Sequence, residues 1–295
     1  MDKTPCYAPL LRKPSWLRIQ LGGQGSYAKV RATLEREGLH TICTSGRCPN
    51  QGECWNEGTA TFMILGDRCT RNCRFCATST GHPLPPDPQE TRRVVRSVQL
   101  LALRHVVLTS VDRDDLPDGG ASQWVELIEA LRAQCPHTTI ETLLPDFKGK
   151  QDALERVIAA HPDIIAHNIE TVARLTPDVR SKATYNHSLQ VLQQMADSGL
   201  VTKSGLMLGL GENEQEVRQT ISDLYRAGCK VLTIGQYLQP RIDNWPVARY
   251  VTPAEFEDYK SYALALGFRY VASGPLVRSS FHAVSALKAC GLGAQ

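Results

Sequence analysis

An alternation of short apolar runs with helically periodic segments begins at residue 59 and constrains the fold of this chain more than any other feature. The apolar runs are rich in Val, Ile, Leu and Thr, and they are nearly continuous rather than alternating with polar residues. Such runs are typical of parallel strands that are buried on both faces. We therefore predict strands at residues 59–65, 105–111, 139–144, 163–169, 202–210, 231–238 and 269–272.

Segments with helical spacing lie between the predicted strands. In the first of them, Val94, Val95, Val98 and Leu101 fall on one face, as in a helix that packs on a sheet. The predicted helices are residues 89–103, 124–133, 151–160, 188–198, 214–227 and 253–266. A repeated strand–helix unit indicates an α/β fold with a parallel sheet. Six full units are too few for a closed eight-stranded barrel, so we predict a partial (β/α)6 TIM-type barrel, with a doubly wound sheet as the alternative.

The two ends of the chain fall outside this repeat. We predict an N-terminal extension at residues 1–58, a partial barrel at 59–273 and a C-terminal extension at 274–295. The first extension contains one cysteine motif, and the second contains an Arg-Ser-Ser motif. Both extensions are expected to pack against the barrel rather than to form independent domains.

Cysteine is the residue type whose count stands out: the 295-residue chain has ten, and six of them fall between Cys43 and Cys76. A secreted disulfide framework would need an export signal, and the first 18 residues carry three prolines and no continuous apolar stretch. No run approaches the roughly 18 apolar residues that span a bilayer. The net charge of +3 gives no drive toward nucleic acid or an anionic membrane. We therefore predict a cytoplasmic protein whose clustered cysteines are metal ligands or catalytic groups.

Polar residues and glycines follow four of the predicted strands at the point where each strand ends. They are Ser110 and Asp112, Asn168 and Glu170, Gly209, Gly211 and Glu212, and Gln236. In barrels of parallel strands, the C-terminal ends of the strands build the active site. A helix N-cap or a turn explains any one of these residues equally well, but their recurrence on four strands predicts a shared site.

A C-x3-C-x2-C triplet, formed by Cys69, Cys73 and Cys76, follows the first predicted strand directly. Structural zinc requires a closed set of four ligands, so three thiolates are an incomplete set for it. A [4Fe–4S] cluster held by three thiolates instead keeps one iron open for a small ligand. We therefore predict such a cluster at the barrel mouth, with a Cys3His zinc site that uses His40 or His82 as the alternative.

Another cysteine triplet, with C-x4-C-x5-C spacing, precedes this motif in the chain. Its members are Cys43, Cys48 and Cys54. It again offers three thiolates, which predicts a second cluster with an unusual fourth ligand. Because Gly46, Pro49 and Gly52 interrupt the segment, we expect a loop wrapped around a metal rather than a helix.

The motif at Cys69–Cys76, with Phe75 before its last cysteine, resembles the cluster motif of the radical S-adenosylmethionine enzymes. From about residue 12 to residue 285 the chain is similar to one family among them, the lipoyl synthases. The similarity is carried by the first triplet and by residues 13–18 (KPSWLR), 60–69 (ATFMILGDRC), 109–116 (TSVDRDDL), 167–171 (HNIET), 202–212 (TKSGLMLGLGE) and 274–283 (GPLVRSSFHA). The chain differs from the family pattern at Thr44 and Ser45, where an acidic pair is usual, and at Phe281, where tyrosine is usual.

The resemblance implies an enzyme that inserts two sulfur atoms, at C6 and C8, into an octanoyl chain linked to a lysine of a carrier domain. It implies two [4Fe–4S] clusters and S-adenosylmethionine as cosubstrate, with the auxiliary cluster as the sulfur donor. The implied partners are octanoylated lipoyl-carrier domains of 2-oxoacid dehydrogenases or the glycine cleavage H protein, and flavodoxin or ferredoxin as reductant. Neither nucleic acid nor a membrane is expected as a partner.

The same resemblance implies a role for each candidate site residue. Cys69, Cys73 and Cys76 would hold the radical cluster, and Cys43, Cys48 and Cys54 the auxiliary cluster, with Ser280 preferred over Ser279 as its fourth ligand. S-Adenosylmethionine would contact Phe75, Ser110, Asp112, Asn168, Glu170, Arg180, Gly209, Gly211 and Glu212. Arg180 would pair with the methionine carboxylate, although a structural salt bridge is the alternative for both Arg180 and Glu170.

Two other functions stay open at this point. One is a different radical enzyme with an auxiliary cluster, such as a thioether-forming or methylthio-transferring protein. The other is a non-catalytic zinc-binding or iron–sulfur module. The isolated cysteines are expected to be structural, and they are Cys6, Cys135, Cys229 and Cys290.

Overall fold

The computed structural model describes residues 12–17, 26–45, 48, 50–56 and 59–292. Its strands are β1 (His40–Thr41), β2 (Thr59–Ile64), β3 (Arg68–Cys69), β4 (Ser79–Thr80), β5 (His105–Ser110), β6 (Thr139–Leu143), β7 (Ile164–Ala166), β8 (Val201–Leu208), β9 (Val231–Gln236) and β10 (Tyr270–Gly274). Its α-helices are α1 (Ser26–Glu37), α2 (Ile42–Ser45), α3 (Gln51–Asn56), α4 (Glu90–Leu101), α5 (Ala121–Gln134), α6 (Gln151–Ala159), α7 (Thr176–Val179), α8 (Tyr185–Asp197), α9 (Glu214–Arg226), α10 (Pro253–Leu266) and α11 (Ala283–Ala289). Cys6 and the bends predicted at Gly46 and Pro49 lie outside the described residues.

Eight of the strands form one sheet in the order β1-β2-β5-β6-β7-β8-β9-β10. β1 pairs with β2 in the antiparallel sense, and every other neighbouring pair is parallel. The parallel strands follow chain order from one edge to the other, whereas a doubly wound sheet reverses its order at a switch point. The predicted partial TIM-type barrel is therefore confirmed, and its C-terminal strand ends meet at one mouth.

The ends of the predicted elements agree with the observed ones to within about three residues, and the difference at β7 affects the site. This strand ends at Ala166 instead of residue 169, because the following chain turns out of the ladder. Glu170 adopts a left-handed backbone with φ of 68° and touches the sheet only through an isolated bridge to Leu206. Because β7 ends early, the segment that follows it points toward the barrel mouth and does not continue along the sheet.

The helices cover the outside of the sheet with apolar faces. α4 buries Val94, Val95 and Val98, as its periodicity predicts. The described parts of the two extensions contact the barrel: β1 adds an edge strand to β2, α1 packs against α4, and α11 lies against β10. Among the described residues, no helix is both long enough and apolar enough to span a bilayer.

Candidate active site

The first cysteine of the C-x3-C-x2-C motif lies directly beside the end of β5. The backbone N–H groups of Arg71 and Asp112 donate to the Cys69 sulfur at 3.4 and 3.3 Å. The Asp112 carboxylate is 3.7 Å from the same sulfur, and Thr70 N–H donates to the Asp112 carbonyl at 3.0 Å. These contacts place the motif at the C-terminal edge of the parallel strands, where the sequence predicts a site.

A buried arginine inside the motif anchors this loop to the barrel. The guanidinium of Arg71 is 3.2 Å from Asp112, 2.8 Å from Asp114 and 2.6 Å from Asp146. Its side chain is almost fully buried, and a buried cation is tolerated only when anions or acceptors surround it. Arg71 therefore fixes the loop to the ends of β5 and β6, a role that sequence reasoning did not identify.

The other two cysteines of the motif are half-buried and free. Cys73 Sγ is 3.7 Å from Ser181 Oγ, and Cys76 Sγ accepts from Thr78 N–H at 3.4 Å. Burial raises the pKa of Cys76, and it raises the pKa of Cys69 to about 12. These two thiols are thus protonated at neutral pH without a metal, and metal binding has to release their protons. Phe75 is half-buried and packs against the hydrophobic core.

A buried relay of hydrogen bonds orients Arg180 at the same mouth. The Arg180 guanidinium donates to Ser188 Oγ at 2.8 Å, and Ser188 Oγ is 3.0 Å from His167 Nε2. His167 Nδ1 donates to the Leu144 carbonyl at 2.9 Å, so Nε2 is the acceptor and the Ser188 hydroxyl donates to it. The structural salt bridge that was the alternative for Arg180 does not occur among the ion pairs of the described residues, although the charge of Arg180 acts on the Glu170 carboxylate. His167 and Ser188 are supporting residues that the sequence did not single out.

The neutral state of His167 makes stability depend on pH. Burial and the charge of Arg180 lower the pKa of His167 from 6.5 to about 4. Between these two values the unfolded chain binds a proton that the folded chain excludes, so this contribution is complete above pH 6.5 and is lost as the pH falls. We expect the free energy of unfolding to fall by ~2 kcal/mol between pH 7 and pH 5. Urea titrations of the wild-type chain and of His167→Gln at pH 7 and pH 5 measure this change in the free energy of unfolding. An equal change in both proteins would contradict the attribution to His167.

Asn168 and Glu170 lie together after β7, and Glu170 lies within electrostatic range of Arg180. The Asn168 amide hydrogen-bonds the Glu170 carboxylate, whose pKa burial raises against the charge of Arg180. A Cβ atom at Gly205 would stand only 2.7 Å from Asn168 Oδ1, so the glycine leaves room for that side chain. The structure thus brings Asn168, Glu170 and Arg180 together.

Two polar atoms in this region are buried without a partner among the residues that the structure describes. They are Arg180 Nε and Ser110 Oγ. An unpaired buried donor costs about 1–3 kcal/mol, so such atoms are usually satisfied by a ligand or water. The Arg180 cation suits the carboxylate of S-adenosylmethionine. The Glu170 carboxylate, the Asn168 amide and the Ser110 hydroxyl suit its ammonium and ribose groups. The residues present therefore fit the cosubstrate.

The turn after β8 has a structural role that the sequence prediction did not include. Glu212 accepts from the backbone N–H groups of Gly209, Leu210 and Gly211 at 2.5, 2.9 and 3.1 Å, with both carboxylate oxygens engaged. A Cβ atom at Gly209 would lie 2.1 Å from Gln236 Nε2, and φ there is 99°. Close packing and a left-handed backbone thus require glycine at position 209. The Glu212 carboxylate stabilises the turn after β8.

A second group of cysteines lies in a separate cavity of about 120 Å³. Its lining includes Cys43, Cys48, Cys54, Arg278, Ser279, Ser280 and Phe281. The first triplet and the Arg-Ser-Ser motif are more than 220 residues apart in sequence, and the fold brings them face to face. Three thiols and two hydroxyls around one small cavity are a fitting donor set for an iron–sulfur cluster with a serine ligand.

The expected loop between these cysteines is wrong in part, because two short helices occupy it. Cys43 lies on α2, whose first turn is closed by the Thr41 hydroxyl accepting from Thr44 N–H at 3.2 Å. Cys54 lies on α3, and its N–H donates to the Asn50 carbonyl at 3.0 Å. Gly52, predicted to bend the chain, sits inside α3, because one helical glycine costs only about 1 kcal/mol and packing outweighs it.

Specific contacts hold the C-terminal segment over the first triplet. Asn50 Nδ2 donates to the Leu276 carbonyl at 2.7 Å. The Val277 carbonyl lies so close to β9 that a Cβ atom at Gly235 would be 2.1 Å from it.

Burial raises the pKa of Cys43 to about 11. Burial also raises the pKa of Cys48, and the nearby charge of Arg278 opposes that effect.

The described residues contain no prearranged single-metal centre, either at the two cysteine triplets or at the alternative zinc ligands. Within the described ranges, no group of three or more His, Cys, Asp or Glu side chains is placed to hold a single metal ion. His40 lines a different cavity, which it shares with Cys48. The isolated cysteines Cys135 and Cys229 are buried, and Cys290 is half-buried.

Comparison with solved structures shows where this fold recurs. Methylornithine synthase PylB aligns with a TM-score of 0.52 and 12% identity over 93% of this chain and 95% of its own. The [FeFe]-hydrogenase maturase HydG aligns with a TM-score of 0.54 and 12% identity over 90% of this chain and 79% of its own. At such identities the likeness concerns the fold alone, and it agrees with the partial barrel.

Sequence comparison is more specific. Residues 63–224 match the radical SAM superfamily. A lipoyl synthase of Parabacteroides distasonis is 56% identical over 273 residues, which cover 92% of this chain and 97% of the relative. A lipoyl synthase of Treponema denticola is 56% identical over 272 residues, or 92% of this chain and 94% of the relative. With its C-x3-C-x2-C motif at the barrel mouth and a second cysteine-lined cavity, the chain belongs to the lipoyl synthase family of radical S-adenosylmethionine enzymes.

Proposed function

We propose that this enzyme inserts two sulfur atoms, at C6 and C8, into an octanoyl chain that is amide-linked to a lysine of a carrier domain. One observation carries the proposal: the cavity where Cys43, Cys48 and Cys54 face Ser279 and Ser280. A radical enzyme that only abstracts hydrogen needs one cluster. A second set of thiols, separate from the motif at the barrel mouth, supplies a place for a sulfur donor.

The residues at the mouth would bind and orient the cosubstrate. Cys69, Cys73 and Cys76 would hold a [4Fe–4S] cluster, which when bound supplies the electron that cleaves S-adenosylmethionine to a carbon radical. Arg180 offers its unpaired Nε–H to the methionine carboxylate, and Ser188 keeps the guanidinium from rotating away. The Glu170 carboxylate suits the ammonium group. The expected roles of Phe75 at the adenine and of Ser110 and Asp112 remain part of this proposal.

The cysteine-lined cavity would hold the auxiliary cluster, which when bound supplies the two sulfur atoms. Cys43, Cys48 and Cys54 contribute three thiolates, and Ser280 is the proposed fourth ligand. A serine oxygen is a harder ligand than a thiolate and is therefore easier to displace from iron. An iron–serine bond that breaks easily suits a cluster that is used up as the sulfur donor. Arg278 brings a positive charge to the wall of this cavity and favours the thiolate form of Cys48.

The proposed partners follow from this chemistry. An octanoylated lipoyl-carrier domain of a 2-oxoacid dehydrogenase or the glycine cleavage H protein would present the acyl chain, and flavodoxin or ferredoxin would deliver electrons. We also propose a cytoplasmic location. All nine cysteines that the structure describes carry free thiols, which suits a reducing compartment.

Mass spectrometry of an octanoyl-lysine peptide tests the proposed function. The reconstituted chain is incubated anaerobically with the peptide, dithionite and S-adenosylmethionine. We expect the peptide to gain the mass of two sulfur atoms, because two C–H groups become C–SH groups, with one abstracted hydrogen leaving in one 5′-deoxyadenosine for each sulfur. Accumulation of 5′-deoxyadenosine with no sulfur in the peptide would show that the chain is a different radical enzyme.

The two serines of the Arg-Ser-Ser motif make a matched pair of variants. Ser280→Ala is expected to leave S-adenosylmethionine cleavage within about twofold of wild type and to lower sulfur insertion about 10- to 100-fold, because one corner of the auxiliary cluster loses its ligand. Ser279→Ala, in the same cavity, is the control and should keep most sulfur insertion. If the two variants exchange these phenotypes, Ser279 is the ligand.

A further inference from the structure

The segment at residues 239–245, here called the strap, lies across the loop that carries the C-x3-C-x2-C motif. It follows β9 and has its own internal bonds. Asn244 N–H donates to the Arg241 carbonyl at 3.1 Å. Gln239 Nε2 donates to the carbonyls of Ile242 and Asn244 at 3.1 and 3.0 Å. The strap is therefore a defined turn that can present a side chain in a fixed direction.

Asn244 joins the strap to the cysteine loop. Its Nδ2 donates to the carbonyl of Arg74 at 3.0 Å and to that of Cys76 at 3.1 Å. The Arg74 carbonyl also accepts from Trp245 N–H at 2.8 Å, and Arg241 donates to the Ala77 carbonyl at 3.2 Å. Both N–H bonds of one amide group thus bracket Phe75 and the last cysteine of the motif.

The other side of the strap is fixed to the barrel mouth. Trp245 Nε1 donates to the Leu210 carbonyl at 2.9 Å, and the Tyr237 hydroxyl donates to the Trp245 carbonyl at 2.7 Å. The Arg74 guanidinium stacks 4.4 Å from the centre of the Trp245 ring, a cation–π contact. The strap therefore connects the ends of β8 and β9 to the cysteine loop.

The cysteine loop is thus held at two ends by different devices. Arg71 and its three carboxylates fix the end near Cys69 to β5 and β6. At the end near Cys76, Asn244 is the side chain that bonds the motif's backbone from the opposite part of the barrel. Without it, the Arg74 carbonyl keeps its bond from Trp245 N–H, but the Cys76 carbonyl loses its donor from the strap, and the Cys76 backbone gains freedom. A metal site loses precision when the partners that orient its ligands are removed.

We propose that Asn244 is a positioning residue for the cysteine loop, fixing the backbone of Cys76 and so limiting how far its thiol can move from the cluster that the three thiols of the motif would hold. The inference rests on the proposed function of this loop as the radical-cluster site. It concerns retention of that cluster, on which Asn244 would act through the backbone of the loop.

Two single-cluster backgrounds separate this role from a general effect on folding. The C43A/C48A/C54A background keeps only the motif at the barrel mouth, and the C69A/C73A/C76A background keeps only the other triplet. Each is reconstituted with and without Asn244→Ala, and iron release to bipyridyl is followed at pH 7.5. We expect about tenfold faster release in the first background, since two hydrogen bonds are lost, and less than about twofold change in the second.

Three further variants complete the test. Ile242→Ala is the matched control, because its side chain is 59% exposed on the same strap; iron release should match the parent. Asn244→Gln retains the amide, so its rate of iron release should return part of the way to that of the parent. Asn244→Ser has one hydroxyl donor, so its rate should lie between those of the parent and of Asn244→Ala. The electron paramagnetic resonance line of the reduced radical cluster should broaden in Asn244→Ala.

Equal acceleration in both backgrounds, or no acceleration in the first, overturns the proposal. So does an Asn244→Ser variant that is indistinguishable from its parent, which also decides the matter if Asn244→Ala fails to fold. The iron-release measurement needs no octanoyl peptide. Its outcome is therefore distinguishable from failure of the proposed sulfur insertion, which the peptide experiment reads separately.

Discussion

Replacing Cys48 with alanine is expected to abolish sulfur insertion into an octanoyl-lysine peptide while 5′-deoxyadenosine is still formed. Cys48 lines the cavity opposite Ser279 and Ser280, and it is separate from the motif that would hold the radical cluster. Loss of a residue that merely supports a metal ligand already costs about 10- to 100-fold. Loss of a ligand thiolate should therefore lower sulfur insertion by more than about a hundredfold.

Iron and sulfide analysis provides the independent measurement for this prediction. Two [4Fe–4S] clusters correspond to about eight irons per chain, and the Cys48→Ala variant should retain about four. Cys290→Ala is the matched control, because this half-buried thiol lies outside both triplets and should leave the iron content unchanged. A Cys48→Ala variant that keeps eight irons and inserts sulfur would remove this triplet from the proposed mechanism.

The second large effect is expected at Arg180. Its guanidinium is held by Ser188, and Nε is buried without a partner among the described residues. In the proposed complex, the guanidinium and the methionine carboxylate form a buried, hydrogen-bonded charge pair, and removing one member of such a pair costs about 2–5 kcal/mol. Arg180→Met should therefore weaken S-adenosylmethionine binding at least about 30-fold, which equilibrium dialysis with the reconstituted protein measures. Arg180→Lys should recover only part of the affinity, because an ammonium group cannot reproduce the planar fork.

Two further variants show whether Arg180 acts through the relay behind it. Arg226→Gln is the surface control, because Arg226 on α9 is exposed and paired with Asp223, and the dissociation constant of S-adenosylmethionine should equal that of wild type. Ser188→Ala removes the acceptor that orients the guanidinium and should weaken binding about tenfold, a single hydrogen bond to a charged group. Wild-type affinity in Arg180→Met would mean that the mouth binds the cosubstrate through other residues.

Local patterns predicted the barrel well because each of its signals is contained in a short window. The continuous apolar runs predict β2 and β5, and the spacing of apolar residues predicts α4. Each of these two signals depends only on residues that are close to one another in the sequence. β7 was predicted too long because Ile169 was counted with the strand, whereas the regular ladder ends at Ala166. Single backbone bonds follow it, such as those from His167 N–H to Lys203 and from Glu170 N–H to Gly205.

The cysteine spacing was also a local signal, but the residues that support the cysteines were not. Arg71 lies within the motif, yet three carboxylates from the ends of two strands make it an anchor. Ser188 and Asn244 are ordinary polar residues in sequence. One lies on a helix that follows β7, and the other lies 168 positions from Cys76. No periodicity relates such residues, since their partners are chosen by packing.

By itself, the sequence determined the α/β class, the chain order of strands and helices, and two incomplete sets of thiols. Thiolate count and spacing are covalent properties of the chain, and they limit which metal centre the chain can hold. Only the tertiary structure decided that the first triplet meets Ser279 and Ser280 in one cavity. It also decided that Arg180 keeps an unpaired donor and that Asn244 reaches the cysteine loop. These features depend on contacts between distant segments, which form only when burial of the apolar faces closes the barrel and its extensions together.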